Sequence, residues 1–150
     1  MNAVTAPAVY LVVGYDGSPP AVRALDAAVS LLRGRTGRID VVYIASVPAI
    51  EMTSAAAMAE MEVTFDELAR DLQAQADEQL RGREERWRFL RGKGMIPDEL
   101  IAAAVDIRDT HPGDNVAIVV GSSTHAMHRV IGSAAVNLAR RSPVPLVIVP

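Results

Sequence analysis

The chain has 150 residues and a net charge of −3, and half of it is hydrophobic although only 4% is aromatic, so one domain with a core of Ala, Val, Leu and Ile is expected over residues 1–150. The acidic balance argues against nucleic-acid and membrane-surface partners, because phosphate backbones and anionic lipids attract basic patches. There is no cysteine, no apolar run approaches a membrane span, and Met1 to Pro7 lacks the layout of a signal peptide, so thiol chemistry is excluded and a cytoplasmic location is expected.

Val9 to Val13 reads as a buried strand running into Gly14-Tyr15-Asp16-Gly17-Ser18. Ser18 suits an N-cap and Pro19 the first helical position; Val22, Leu25, Val29 and Leu32 then keep helical spacing up to Gly34. Ile39 to Ile44 is a second strand. From Ser46 to Glu62 the chain is rich in Ala and Met, with Pro48, and reads as a mobile connection or frayed helical turns. Thr64 and Glu67 form a capping box, with Val63 and Leu68 at staple spacing, and Phe65, Leu68, Leu72, Ala76 and Leu80 give the helix its apolar stripe. Arg86-Trp87-Arg88-Phe89-Leu90-Arg91 alternates basic and aromatic, as an edge strand protecting itself with charge would. Pro97-Asp98-Glu99 opens a helix with Leu100, Ile101, Ala104 and Val105 facing inward, and His111-Pro112-Gly113 ends it. Val116 to Val120 is apolar without alternation, the mark of a strand covered on both faces. A last helix runs from about Ser133 to Arg141, and Leu146 to Val149 closes the chain as a strand.

This alternation of strands and helices forces right-handed crossovers and a parallel sheet with helices on both faces. Ligands bind such sheets at the carboxyl ends of strands, where strand order reverses. The connection after Val120 overruns the usual loop length and carries Gly121, Ser122, Ser123, Thr124, His125, His128, Arg129, Gly132 and Ser133. Glycines, hydroxyls, cations and a helix N-terminus together suit an anion. Bland readings stand beside these. Asp16-Gly17-Ser18 also makes an ordinary turn and cap. His125 and His128 lack a third ligand and are better read as a solvated loop. Met52, Met58 and Met61 suit either an adaptable surface or gap-filling, with gap-filling the better reading.

Five pieces in order resemble the universal stress protein family: the opening strand into Asp16-Gly17-Ser18, Gly94-Met95-Ile96-Pro97, Ile118-Val119-Val120-Gly121-Ser122, Gly132-Ser133, and Pro143 to Val149. The resemblance implies an open five-stranded parallel sheet of order 3-2-1-4-5, helices on both faces, in the manner of adenine nucleotide alpha hydrolases, and a homodimer. One branch of that family binds ATP through a loop of pattern Gly-x2-Gly-x9-Gly-Ser/Thr. This chain keeps Gly121, Gly132 and Ser133 but has Thr124 at the second glycine, and seven residues instead of nine before Gly132. A β-branched residue is strained where φ must be positive, and two residues fewer remove up to about 7 Å of reach. The expected site is Asp16, Gly17, Ser18, Ile44 against an adenine, Gly121, Ser122, Thr124, Gly132 and Ser133. The expected ligand is ATP, with or without Mg, or a smaller anion. The main reading is a stress-response protein that binds and does not catalyse. A slow ATPase using the same site and a dimeric scaffold holding no nucleotide are the alternatives. Self-pairing is expected through Leu146, Val147, Ile148 and Val149, an apolar edge with no charge to blunt it.

Overall fold

The computed structural model describes residues 4–46, 54–122 and 132–150. Its elements alternate: β1 (Val9–Gly14), α1 (Pro19–Leu32), β2 (Gly37–Ala45), α2 (Ala55–Leu80), β3 (Trp87–Lys93), α3 (Ile96–Thr110), β4 (Asn115–Gly121), α4 (Ser133–Arg141) and β5 (Leu146–Val149). All neighbouring strands pair in parallel, in the order β3-β2-β1-β4-β5. This is the open sheet implied by the sequence.

Alternate side chains of each strand feed two separate cores. Leu11 and Val13 of β1 and Ile39, Val41 and Tyr43 of β2 pack under α1 and α2, against Leu25, Val29, Leu72 and Ala76. Val12, Val42, Ile44 and Ile118 point the other way, onto Leu100, Ala104 and Ile107 of α3 and Leu138 of α4. Burial on both faces explains why β1 and β4 read as unbroken apolar runs. Ile101 and Val105 of α3 are only half-buried; the inward face is carried by Pro97, Leu100, Ala104 and Ile107.

The helix expected to begin at Thr64 begins nine residues earlier. Ser54 is the N-cap, its Oγ accepting from the Ala57 N–H at 3.2 Å, and α2 runs unbroken to Leu80. Thr64 is inside the helix and its hydroxyl donates to the Glu60 carbonyl at 3.0 Å, so no capping box forms there. Val63 and Leu68 are both exposed and make no staple. The physical reason is propensity: residues 55–62 are Ala, Met and Glu, among the best helix formers, and threonine tolerates a helix interior by bonding back one turn. Met58 and Met61 are therefore exposed on α2 and fill no gap, whereas Met52 lies outside the described residues.

β3 is an edge strand with exposed arginines, as expected, and Arg88 and Arg91 are paired with acids. Asp40 of β2 is 1% exposed, and Arg88 grips it from β3 with Nε and Nη2 at 2.9 and 2.8 Å. Arg38 supplies a further bond of 2.6 Å from its Nε. Arg91 pairs with Asp66 of α2 at 2.6 Å. Trp87 and Phe89 pack, partly buried, against the α1 and α2 side.

Candidate functional site

Because β1 lies between β2 and β4, the carboxyl ends of all three strands open side by side. A cavity of about 210 Å³ forms there. Its floor is Gly14 and Tyr15 from β1, Val42, Tyr43 and Ile44 from β2, and Val120 and Gly121 from β4. Ile96 and Leu100 of α3 wall one side; Gly132, Ala134, Ala135 and Leu138 at the start of α4 wall another; Asp16, Ser18 and Pro20 close the α1 side. Sites for drug-sized ligands run from about 300 to 1,000 Å³. This cavity therefore suits one flat apolar moiety, with the remainder of a ligand at its lip.

Three helix N-termini meet at that lip: α3 enters through Ile96 with Asp98 and Glu99 in its first turn, and those of α1 and α4 are unlike each other. In α1, Pro19 and Pro20 have no N–H, the Ala21 N–H goes to Ser18 Oγ at 3.4 Å, and the Val22 N–H goes to the Ser18 carbonyl at 2.9 Å. That end has no free backbone N–H among these residues to give an anion, only the Ser18 hydroxyl. In α4, Gly132 is the N-cap, and among the described residues no side chain caps the turn, so the N–H groups of Ser133, Ala134 and Ala135 carry the positive end of the helix without a described side-chain partner.

Charge at the site comes from one carboxylate. Among the described lining residues Asp16 is the single charged side chain. It is exposed, and its Oδ1 accepts the Ser18 N–H at 3.0 Å in an Asx turn. Burial first and then the Asp16 charge push the phenols of Tyr15 and Tyr43 above their ordinary range, with Asp26 adding to the effect on Tyr15. Both phenols therefore stay neutral at physiological pH. Tyr15 donates to Gln79 Oε1 at 3.3 Å and the Tyr43 ring stacks on Phe65, so both are held from the α2 side. No cluster of three or more metal-binding side chains occurs among the described residues. A lone carboxylate fits Mg only when phosphate oxygens complete its shell.

Of the residues expected at the site, Asp16, Ser18, Ile44, Gly121 and Gly132 line the cavity. Ser133 opens α4 and offers its backbone N–H rather than its hydroxyl. Gly17 and Ser122 are placed differently. Gly17 has φ +75°, and a Cβ there would meet Leu72 at 2.7 Å; its carbonyl accepts from Gln75 of α2 at 3.2 Å. It anchors the loop to α2. The Ser122 N–H is committed to the Val149 carbonyl at 2.8 Å. Gly121 is required by packing, since a Cβ would stand 2.2 Å from the Pro20 carbonyl oxygen. Thr124, with His125, His128 and Arg129, lies outside the described residues. Sequence reasoning missed Tyr15, Tyr43, Ile96 and Leu100 as walls, because apolar lining carries the same signal as core.

With this geometry in hand, comparison with known proteins becomes informative. The family model described as "Universal stress protein family" matches residues 11–150. The chain belongs to that family. No curated protein matches it. Among solved structures, the universal stress protein UspA from Lactobacillus plantarum is similar with a TM-score of 0.75 at 19% identity, over 97% of this chain and 99% of that one. A universal stress protein in complex with cAMP is similar at 24% identity and TM-score 0.64, over 94% of this chain and 96% of that one. The universal stress protein from Archaeoglobus fulgidus in complex with dAMP follows at 19% identity and TM-score 0.54, over 98% of this chain and all of that one. These likenesses establish the universal stress protein fold. No helix among the described residues is long and apolar enough to cross a membrane.

Proposed function

We propose that this universal stress protein acts in the cytoplasm by binding an adenine nucleotide rather than by turning one over. The observation that carries the reading is an apolar cavity that opens beside a helix N-terminus without a side-chain cap among the described residues. A purine is flat and apolar on its faces, which suits the slot formed by Val42, Ile44, Ile96 and Leu100. A phosphate beyond it meets the first turn of α4, where backbone N–H groups and the helix dipole favour negative charge. Two structural relatives hold cAMP and dAMP, ligands of the same chemical class. With ATP, Asp16 becomes a ligand for the Mg that the phosphates bring, through the carboxylate oxygen the Asx turn leaves free. Asp16 is exposed at the lip of the cavity, where hydrated metal and phosphate can reach it.

Titration calorimetry with AMP and with ATP, each with and without Mg, tests the reading. Binding between micromolar and millimolar is expected, about −8 to −4 kcal/mol. Ile96→Asp, at the half-exposed rim of the cavity, should weaken binding tenfold or more. Absence of heat from either nucleotide at millimolar concentration would sink the proposal.

The same reading includes a homodimer through β5. Its backbone groups at Pro145 and Val149 accept from Ile118 and Ser122 of β4 at 2.9 and 2.8 Å, which leaves those of Leu146 and Ile148 directed to the open edge. Antiparallel pairing with a second β5 satisfies them.

A further inference from the structure

Helix α2 has 26 residues, about 39 Å, whereas the nine-residue strand before it reaches only about 30 Å. Every residue from Ser54 to Thr64 is exposed. The apolar row that is buried lower down at Leu72 and Ala76 nonetheless continues upward through Leu68, Met61 and Met58, which are 44%, 40% and 58% exposed. Rows at spacings of three, four and seven share one helix face. The upper turns thus present the same face that the sheet covers below, without a cover among the described residues.

Charge on the two sides of this stripe differs: Arg91 and Lys93 of β3 lie over the Phe65 ring on one side, and the other is acidic. No basic residue occurs from Ser54 to Ala69. On the shoulder toward β3, Glu62 and Asp66 are paired with Lys93 and Arg91. The other shoulder carries Glu60, Glu67 and Asp71 at spacings of seven and four, and no cation pairs with them among the described residues. Acidic charge beside the stripe repels nucleic acid and anionic lipid. A second α2 laid antiparallel on the first would bring acidic shoulders against each other, so self-pairing is disfavoured. What complements exposed methionines beside an uncompensated acidic shoulder is an apolar side bordered by cations. Methionine surfaces adapt to such helices because the side chain is unbranched and polarizable.

We propose that the first five turns of α2 are a docking surface for a basic amphipathic helix of another protein, its apolar side on Met58, Met61 and Leu68 and its cations against Glu60, Glu67 and Asp71. A fluorescein-labelled amphipathic peptide of leucine and lysine, about 18 residues long so that helix formation is favourable, serves as the probe, with its leucine–glutamate counterpart as control. Anisotropy at physiological salt should show saturable binding of the lysine peptide and none of the glutamate one. The double variant Met58→Asp/Met61→Asp should weaken the lysine peptide at least tenfold, although its two extra negative charges would strengthen plain charge attraction. Glu60→Lys/Glu67→Lys should lose the lysine peptide and gain the glutamate one. All four positions are exposed, so thermal unfolding should confirm that the variants fold. Undiminished binding to the Asp double variant would overturn the proposal in favour of charge alone. Failure of the lysine peptide to bind would also overturn it. Self-association abolished by the Asp double variant would assign the surface to a second copy instead.

Discussion

Asp40→Asn removes one negative charge from the least accessible carboxylate in the sheet while keeping its shape. Arg88 reaches Asp40 from edge strand β3 with two bonds below 3 Å, and Arg38 adds a third of 2.6 Å from within β2. The substitution leaves the amide to satisfy two guanidiniums with a single carbonyl oxygen. A hydrogen bond to a charged group contributes about 1.5–3 kcal/mol. The Arg38 and Arg88 side chains are 21% and 46% exposed, so water recovers much of their solvation and the loss falls below that of a sealed pair. About 2 kcal/mol is expected, which for a chain of this size lowers Tm by roughly 4–8 °C. The pH dependence follows from the same contacts. Burial alone would raise the Asp40 pKa, but the hydrogen bonds and charges of Arg88 and Arg38 outweigh it and hold the carboxyl below its usual range. A depressed carboxylate contributes stability that is present above the unfolded value, about 4, and lost as pH falls through the folded one. Thermal unfolding of the parent and Asp40→Asn should therefore differ most at pH 7, and the gap should narrow below pH 4. Equal Tm values at pH 7 would refute the reasoning, as would a gap that widens in acid.

Three further outcomes follow from the geometry. Gly121→Ala should cost about 1–3 kcal/mol by thermal unfolding and weaken nucleotide binding together, since its Cβ drives β4 from the first turn of α1. A variant as stable as the parent would show that β4 and α1 separate freely. Ile148→Pro removes an outward N–H of β5 without touching its bonds to β4, so sedimentation should show a shift toward monomer; an unchanged dimer places the interface elsewhere. Replacing Thr124 with Gly and adding two residues before Gly132 restores the ATP-binding pattern, and calorimetry should show about tenfold tighter ATP binding, near 1.4 kcal/mol, if loop reach limits affinity.

The parallel sheet and both helix layers were legible because apolar runs, turn glycines and the strand–helix alternation all agreed, whereas the strand order came from the family resemblance. The upper half of α2 was not, because a capping box at Thr64 imitated a start and the true cap, Ser54, precedes a run of alanines in which only Met58 and Met61 carry the apolar stripe. Asp40 looked like an ordinary polar residue in a strand; its burial depends on Arg88, 48 positions away. At the site, sequence located the two loops but not their division of labour. Pro19 was read only as a helix opener, whereas with Pro20 it leaves that terminus short of backbone donors, unlike the start of α4. Gly17 and Ser122 belonged to the right loops, yet contacts with Gln75 and Val149 turn them to structural tasks.

The most direct test of nucleotide binding is an amide nitrogen–proton correlation spectrum of the labelled protein recorded during titration with AMP. The account predicts saturable shifts confined to the cavity, strongest at Tyr15, Ile44, Ile96, Ser133 and Ala134, with a Kd between micromolar and millimolar. Shifts clustered on another face, or an unchanged spectrum at millimolar AMP, would contradict it.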